Sequence, residues 1–507
     1  MNANLFDRLQ RSITAPERTA IATPDGERFT YADLISSAGR LANVLVARGV
    51  KPGDRVAAQI EKSVQAIVLY LATVRVGAAY LPLNTAYTLA ELEYFLGDAE
   101  PRLVVCDPAK REGIAAIANK VEASVETLDA KGKGTLTDAA ATAPAAYATA
   151  ESAGDDIAAI LYTSGTTGRS KGAMLTHDNL VSNALTLKET WRFTADDVLI
   201  HALPTYHIHG LFVATNVALF AGASMTFLPK FDAESILALM PGSTALMGVP
   251  TFYVRLLQQP GLNVQATSRM RLFVSGSAPL LAETHREWSA RTGHAILERY
   301  GMTETNINTS NPYDGERMPG AVGLPLPGVS VRICEPETGK ELARDAIGMI
   351  EIKGPNVFKG YWRMPEKTAA EFRADGFFIT GDLGKIDERG YVHILGRGKD
   401  LVITGGFNVY PKEIEEEIDA IPGVSESAVI GVPHHDFGEG VTAVVVRSGA
   451  APVDESSILA ALEGRLAKFK LPKRVLFVDE LPRNTMGKVQ KSVLRERFAD
   501  LYAMWAM

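Results

Sequence analysis

Apolar residues recur along this chain with two alternating periods. Between 31 and 48 they fall at Leu34, Ala38, Leu41 and Val44, the spacing of a helix with one buried face. Positions 56–58 read as a short strand, 63–76 as a second helix stopped by Gly77, and 78–84 as a strand closing in Pro82. This alternation predicts βαβ units and a largely parallel sheet. Further strands are expected at 157–161, 198–201, 223–228, 244–249, 271–274 and 295–297, with helices opening at Pro250 and spanning 280–291. From 346 to 400 the pattern changes to short strands with turns, at 348–353, 377–380, 385–387 and 391–395. Beyond 399 a helix over 411–420, strands at 426–432 and 442–447, and a helix over 456–465 make a compact α+β pattern. The stretch 122–155, rich in Ala, Thr, Ser and Gly, has no clear period and is expected to be a mobile surface connection.

Composition narrows the function classes. A chain of 507 residues can build at least two domains. Its net charge of −7 argues against a nucleic-acid partner held through phosphate contacts. The most apolar long segment, 211–228, is broken by Asn216, Gly222 and Ser224, so it is expected in the core rather than in a membrane. Cys106 and Cys334 are too few for a disulfide framework, and the first residues lack the apolar run of a signal peptide, so a cytoplasmic setting is expected.

The chemistry starts at 161–172, LYTSGTTGRSKG, directly after a strand pattern. Gly165, Gly168 and Gly172 allow close backbone approach, Thr163, Ser164, Thr166 and Thr167 offer hydroxyls, and Arg169 and Lys171 offer charge. Successive amides in such a turn make an anion-binding nest, so a phosphate loop is expected. It is not a Walker A loop, because Lys171 follows Ser170 and precedes Gly172. Other stretches also stand at strand ends or turns: HALPTYHIHG at 201–210, SGSAPL at 275–280, YGMTET at 300–305 and TGDLG around Asp382. His207 and His209 form an H-x-H pair, but no further ligand cluster lies near them in sequence, so structural hydrogen bonding is the commoner reading. Two later signatures are GRGKDLVITGGFNVYPKEIEE at 396–416 and LPRNTMGKVQKSVLR at 481–495. In the second, Lys491 and Arg495 read as surface charges.

Taken together, these ordered stretches resemble the adenylate-forming superfamily, which includes acyl-CoA synthetases and peptide-synthetase adenylation domains. The usual phosphate loop there is TSGTTGxPKG, and Ser170 stands where Pro is common. The resemblance implies an α/β protein with a large N-terminal domain, 1–398, of layered parallel sheets with helices plus a small β-barrel. A small mobile α+β domain, 399–507, would follow, turning about Lys399. It implies ATP, Mg²⁺ and coenzyme A as reactants and cofactors. Nucleotide contacts are implied for Thr163, Ser164, Gly165, Thr166, Thr167, Gly168, Lys171, Ser277, Ala278, Pro279, Glu298, Arg299, Tyr300, Gly301, Met302, Asp382 and Arg397, with Asp382 on the ribose. Thr303 would face the α-phosphate, Glu304 and Thr163 would serve Mg²⁺, and Lys488 would be the catalytic lysine. Gly405, Gly406 and Phe407 would form the face where coenzyme A enters. Acetylation of Lys488 by a lysine acetyltransferase, reversed by a deacetylase, would switch off the first step.

Within that superfamily ERYGMTETNINTSNPY, LPTYHIHGLF and SGSAPLLAETHREW resemble the malonyl-CoA synthetase branch. Malonate is then the expected acid, with methylmalonate slower. Other readings are a synthetase for another short or medium acid, or an enzyme that loads a carrier protein. A dicarboxylate needs a cation for its distal charge. Arg286 is the expected partner, assisted by His207, with Met302, Ile208 and Ile307 limiting substituents at the α-carbon. The competing reading leaves Arg286 in solvent, off the helix face marked by Leu281 and Trp288.

Overall fold

A computed structural model describes residues 2–163, 170–405, 407–434, 436–449, 451–484 and 487–502. By packing density the chain forms two units, 1–330 with 352–378, and 331–351 with 379–507.

Two mostly parallel sheets build the first unit. One has nine strands, in the order Leu324–Pro325, Asn306–Ser310, Leu297–Met302, Leu272–Ser275, Ala245–Gly248, Val198–His201, Ser224–Phe227, Thr19–Ala22, Arg28–Thr30. The other has seven, in the order Gly360–Tyr361, Lys171–Thr176, Ile157–Thr163, Ala79–Pro82, Arg55–Gln59, Leu103–Cys106, Ser124–Thr127. Crossover helices form where the apolar period predicts them. Tyr31–Ala47 is opened by a Thr30–Asp33 capping box, and Val64–Arg75 is capped by the Ser63 hydroxyl. Residues 64 and 66–75 are all buried, so this helix lies inside rather than on the surface. The apolar run expected in the core is there: it folds as a π-helical turn, His209–Thr215, a helix, Asn216–Ala221, and the strand Ser224–Phe227. Among the described residues no helix is long and apolar enough to cross a membrane.

The stretch 122–155 departs from expectation. It carries a strand, Ser124–Thr127, and a helix, Thr135–Thr142, with Leu128 and Leu136 wholly buried. Its alanines are small because the backbone passes close to the helix Tyr31–Ala47. Arg40 and Asn43 donate to the carbonyls of Ala143, Pro144 and Ala146, and Arg75 donates to that of Tyr147.

In the second unit, residues expected as a small barrel form a four-stranded sheet, Ser330–Cys334, Gly348–Lys353, Phe378–Ile386, Val392–Arg397. A five-stranded sheet centred on Gly438–Arg447 carries the helices Pro411–Asp419, Glu455–Leu462 and Lys491–Arg497. The division expected at 398/399 falls inside this unit, for a physical reason. The Lys412 ammonium donates to the Ile394 carbonyl, and Arg495 pairs with Asp400 at 2.9 Å, tying the two sheets together. Arg495 and Lys491, read as surface charges, are instead half-buried ion pairs, Lys491 with Glu415 at 2.5 Å.

Gly39 tests the packing of the alanine-rich segment. A Cβ there would overlap the carbonyl oxygen of Ala145. Alanine is the better helix former by about 1 kcal/mol. Even so, Gly39→Ala is expected to lower the thermal unfolding midpoint, with about 1–3 kcal/mol of overpacking strain. An unchanged or raised midpoint would show that 143–147 yields freely.

Candidate active site

The strands Ile157–Thr163 and Lys171–Thr176 run antiparallel with Thr163 opposite Lys171. Ser164, Gly165, Thr166, Thr167, Gly168 and Arg169 lie outside the described residues. At the exit of the loop the Tyr94 hydroxyl donates to the Ser170 carbonyl at 2.7 Å. Lys171 pairs with Glu371 at 3.0 Å and sits 4.2 Å over the Tyr361 ring. The Tyr361 hydroxyl lies 2.6 Å from Glu371 Oε2 and 3.0 Å from Glu304 Oε1. Burial, then Glu304 and Glu371, push the phenol far above its ordinary range, so it stays a donor. Burial pushes the Glu371 carboxyl up, but hydrogen bonds from Lys367, Tyr361 and Lys171 outweigh that and leave it low. A chain of alternating donors and acceptors thus runs from Lys171 through Glu371 and Tyr361 to Glu304. Tyr361 and Glu371 carried no recognisable signal in the sequence.

Thr303 and Glu304 occupy the turn between the strands Leu297–Met302 and Asn306–Ser310. Asparagines fix this turn. Asn356 donates to the Thr305 carbonyl at 2.6 Å, Asn306 donates to Asn356, and Asn183 donates to the Ile307 carbonyl at 2.8 Å. Asn306 itself takes a left-handed conformation, φ 49°, which asparagine tolerates better than branched residues. Glu298 is buried and accepts from the Gly320 amide at 3.1 Å. Tyr300 is buried, and Gly301 and Met302 are half-buried.

Behind the turn lies a basic pocket. Arg299 is 3 % exposed, and its Nε and Nη2 meet no hydrogen-bond partner among the described residues. Burial holds its guanidinium down, to about 9. A Cβ on Gly276 would overlap that guanidinium, so the strand end leaves room for it only as glycine. The next residue, Ser277, is strained at φ 72° and places its Oγ 3.1 Å from His209 Nδ1. His209 Nε2 is buried and also unpartnered among the described residues. The His209 amide reaches His207 Nδ1 at 3.4 Å. Burial, then Arg299, push the His207 imidazole down to about 4 and His209 well below its ordinary value, so both are neutral near pH 7. Ile208, between them in sequence, and Ile307, on the strand Asn306–Ser310, are sealed in the core. Ala278 is half-buried and Pro279 exposed.

Arg286 is not in this pocket. The helix Ala282–Thr292 buries Thr284, His285, Trp288 and Thr292, which turns Arg286 to solvent, where it forms no ion pair among the described residues. Within this pocket, Arg299 is a buried cation with no carboxylate partner among the described residues.

The second unit supplies a separate group. Asp382 was read in a turn but lies within the strand Phe378–Ile386, paired in register with Arg397. Arg397 Nε meets Asp382 Oδ1 at 2.7 Å, and the Thr380 hydroxyl accepts from the Asp382 amide at 3.0 Å. Lys488 sits on a hairpin closed by the Arg483–Val489 bridge. Asn484 Oδ1 accepts from its amide at 2.9 Å, and the Asn484 amide donates to its carbonyl at 2.9 Å. Burial, then Arg397, lower the Lys488 ammonium to about 8 against the opposing pull of Asp382 and Asp400. Lys399 is exposed in the tight turn Gly398–Asp400. Gly405 takes φ 56°, Phe407 is exposed and stacks on Phe469 at 4.6 Å, and Gly406 lies outside the described residues.

Comparison with known proteins places the chain in a family. Residues 9–362 match the AMP-binding enzyme family and 413–488 match the AMP-binding enzyme C-terminal domain. The chain is 35% identical over 529 residues to a malonate–CoA ligase of Arabidopsis thaliana, covering 95% of this chain and 86% of that one. It is equally 35% identical to a feruloyl-CoA synthase of Amycolatopsis sp, over 97% of this chain and 98% of that one. Among solved structures, ATP-bound MatB from Rhodopseudomonas palustris is 73% identical, with 99% of this chain and 100% of that one covered and a TM-score of 0.98.

The environment of Lys488 has a direct readout. Competitive labelling with acetic anhydride, followed by mass spectrometry, should titrate Lys488 with a midpoint near 8, well below the exposed lysines. Arg397→Met should move that midpoint upward by removing a neighbouring positive charge. A Lys488 that titrates with the exposed lysines would contradict the placement.

Proposed function

The chain belongs to the AMP-binding enzyme family, and on that premise we propose that it is an ATP-dependent malonate:CoA ligase. A malonate carboxylate attacks the α-phosphorus of ATP, giving malonyl-AMP and pyrophosphate. The thiol of coenzyme A then attacks the acyl carbon and AMP leaves. Methylmalonate is a slower substrate in the same reading.

One observation carries the choice of acid: the buried Arg299 guanidinium with two unmet donors beside neutral His207 and His209. A monocarboxylate that presents its only charge to ATP leaves this cation uncompensated. A dicarboxylate supplies the missing partner, held by two parallel hydrogen bonds. The distal carboxylate therefore falls to Arg299, with His209 and Ser277 as further donors, in place of Arg286.

The remaining roles belong to the same proposal. Thr163 and Lys171, with the loop they flank, hold the outer phosphates; Ser277, Ala278, Pro279 and residues 298–302 form the nucleotide wall; Asp382 takes the ribose. Thr303 faces the α-phosphate. Glu304 and Thr163 offer oxygen donors, a set that suits Mg²⁺, and the buried Glu304 carboxylate fits a hard cation. Bound there, Mg²⁺ would neutralise phosphate charge. Lys488 balances charge between the attacking carboxylate and the α-phosphate, and reversible acetylation by a lysine acetyltransferase would remove that charge. Lys399 is the pivot between the functional domains 1–398 and 399–507, and Gly405, Gly406 and Phe407 are the face for coenzyme A. The setting is cytoplasmic.

Two variants test the reading. Arg299→Met should lower kcat/KM for malonate by the equivalent of about 2–4 kcal/mol, while the weaker use of propionate changes little. Equal losses on both acids would remove Arg299 from the acid site. Lys488→Ala should abolish malonyl-AMP formation from ATP yet leave the acylation of coenzyme A from supplied malonyl-AMP largely intact. Loss of both half-reactions together would show that Lys488 serves both steps or the fold.

A further inference from the structure

One buried cluster remains without a role. Lys62 follows the strand Arg55–Gln59 and is 8 % exposed, yet no carboxylate pairs with it among the described residues. Its Nζ lies 2.9 Å from His201 Nδ1 and 2.8 Å from the His201 carbonyl oxygen, and 4.2 Å over the Phe227 ring. On its far side, His201 Nε2 lies 2.9 Å from the Gly210 carbonyl and 3.1 Å from Thr215 Oγ1.

The chemistry fixes the direction of these bonds. A carbonyl only accepts, so His201 Nε2 carries the proton and donates to Gly210. Nδ1 is then an acceptor, and Lys62 donates to it. Burial, then the nearby Lys62, hold the His201 imidazole well below its ordinary range, which keeps the ring neutral. Burial likewise holds the Lys62 ammonium well down.

The chain of bonds ends on the π-helical turn His209–Thr215, which has wider spacing than an α-helix and is a common feature of functional sites. Gly210 is held from both sides. A Cβ there would overlap the Pro204 carbonyl, and the Thr215 hydroxyl also donates to the Gly210 carbonyl at 2.9 Å. His209, which meets Ser277 beside Arg299, is the residue immediately before Gly210. A methionine would fill the space of Lys62 without desolvating an amine, so packing alone does not call for lysine here.

We propose that Lys62 and His201 form a brace between the two sheets that sets the position of the π-helical turn, making Lys62 a positioning residue for recognition of the acid. The brace rests on the malonate ligase reading and acts through His209, without touching substrate.

The test uses Lys62→Met in the full chain, with malonate-dependent ATP–pyrophosphate exchange as the readout. A misplaced pocket should raise the malonate KM about 10- to 100-fold, with the ATP KM held within about twofold. The preference for malonate over propionate should shrink, and the unfolding midpoint should not fall. His201→Leu should have the same effect, and the double variant should be no worse than either single one. A malonate KM and acid preference within about twofold of wild type would overturn the brace. So would a joint rise of the malonate and ATP KM values with a lowered midpoint, which marks a merely structural lysine. Wild-type protein without malonate-dependent exchange would refute the ligase reading instead, a result separate from any effect of Lys62.

Discussion

A guanidinium taken out of water and left unpaired is among the most costly arrangements a protein core can hold. Among the described residues Arg299 is in that position, with burial lowering its pKa and no carboxylate among the groups that act on it. The surrounding imidazoles do not compensate it, since they are neutral and could only add positive charge. In the proposed reading such a pocket is tolerable because an anionic substrate completes it. Its stored cost becomes selectivity, since an acid with no second charge does not repay it.

Much of the local architecture serves to keep that guanidinium in place. Gly276 gives it room, the strained Ser277 turns its hydroxyl toward His209, and the π-helical turn supplies His209. The asparagines at 183, 306 and 356 satisfy the backbone around Thr303 and Glu304, which would otherwise leave buried carbonyls unmet at a turn. Lys171, Glu371, Tyr361 and Glu304 are likewise held in place by direct contacts. The second unit follows a different logic: Lys488 is kept near a protonation midpoint by burial and by Arg397.

Most elements of the fold were legible because apolar period and glycine punctuation are local signals. The helix Tyr31–Ala47 and the strand Ile157–Thr163 fell where the pattern put them, whereas the antiparallel strand Lys171–Thr176 was not foreseen. What escaped depended on contacts distant in sequence. Arg286 and Arg299 look alike as letters; only the strand position of Arg299 and the outward helix face of Arg286 separate them. The sequence offered no partner for His209 because that partner, Ser277, is 68 residues away. Asp382 looked like a turn residue amid Thr, Gly and Gly, but those residues serve a bulged strand, and a Cβ on Gly384 would overlap the His393 carbonyl. The alanine-rich stretch looked mobile because small side chains give no period, although they are what close backbone packing requires.

The central claim is that the second carboxylate, and not the size of the acid, is what the pocket recognises. Malonate and its monoamide differ by one charge at nearly constant shape. The direct measurement is the ratio of their kcat/KM values in ATP–pyrophosphate exchange with the wild-type protein. The account predicts that malonate is favoured by the equivalent of about 2–5 kcal/mol, the scale for leaving a buried charge unpaired. Comparable use of the two acids would contradict it.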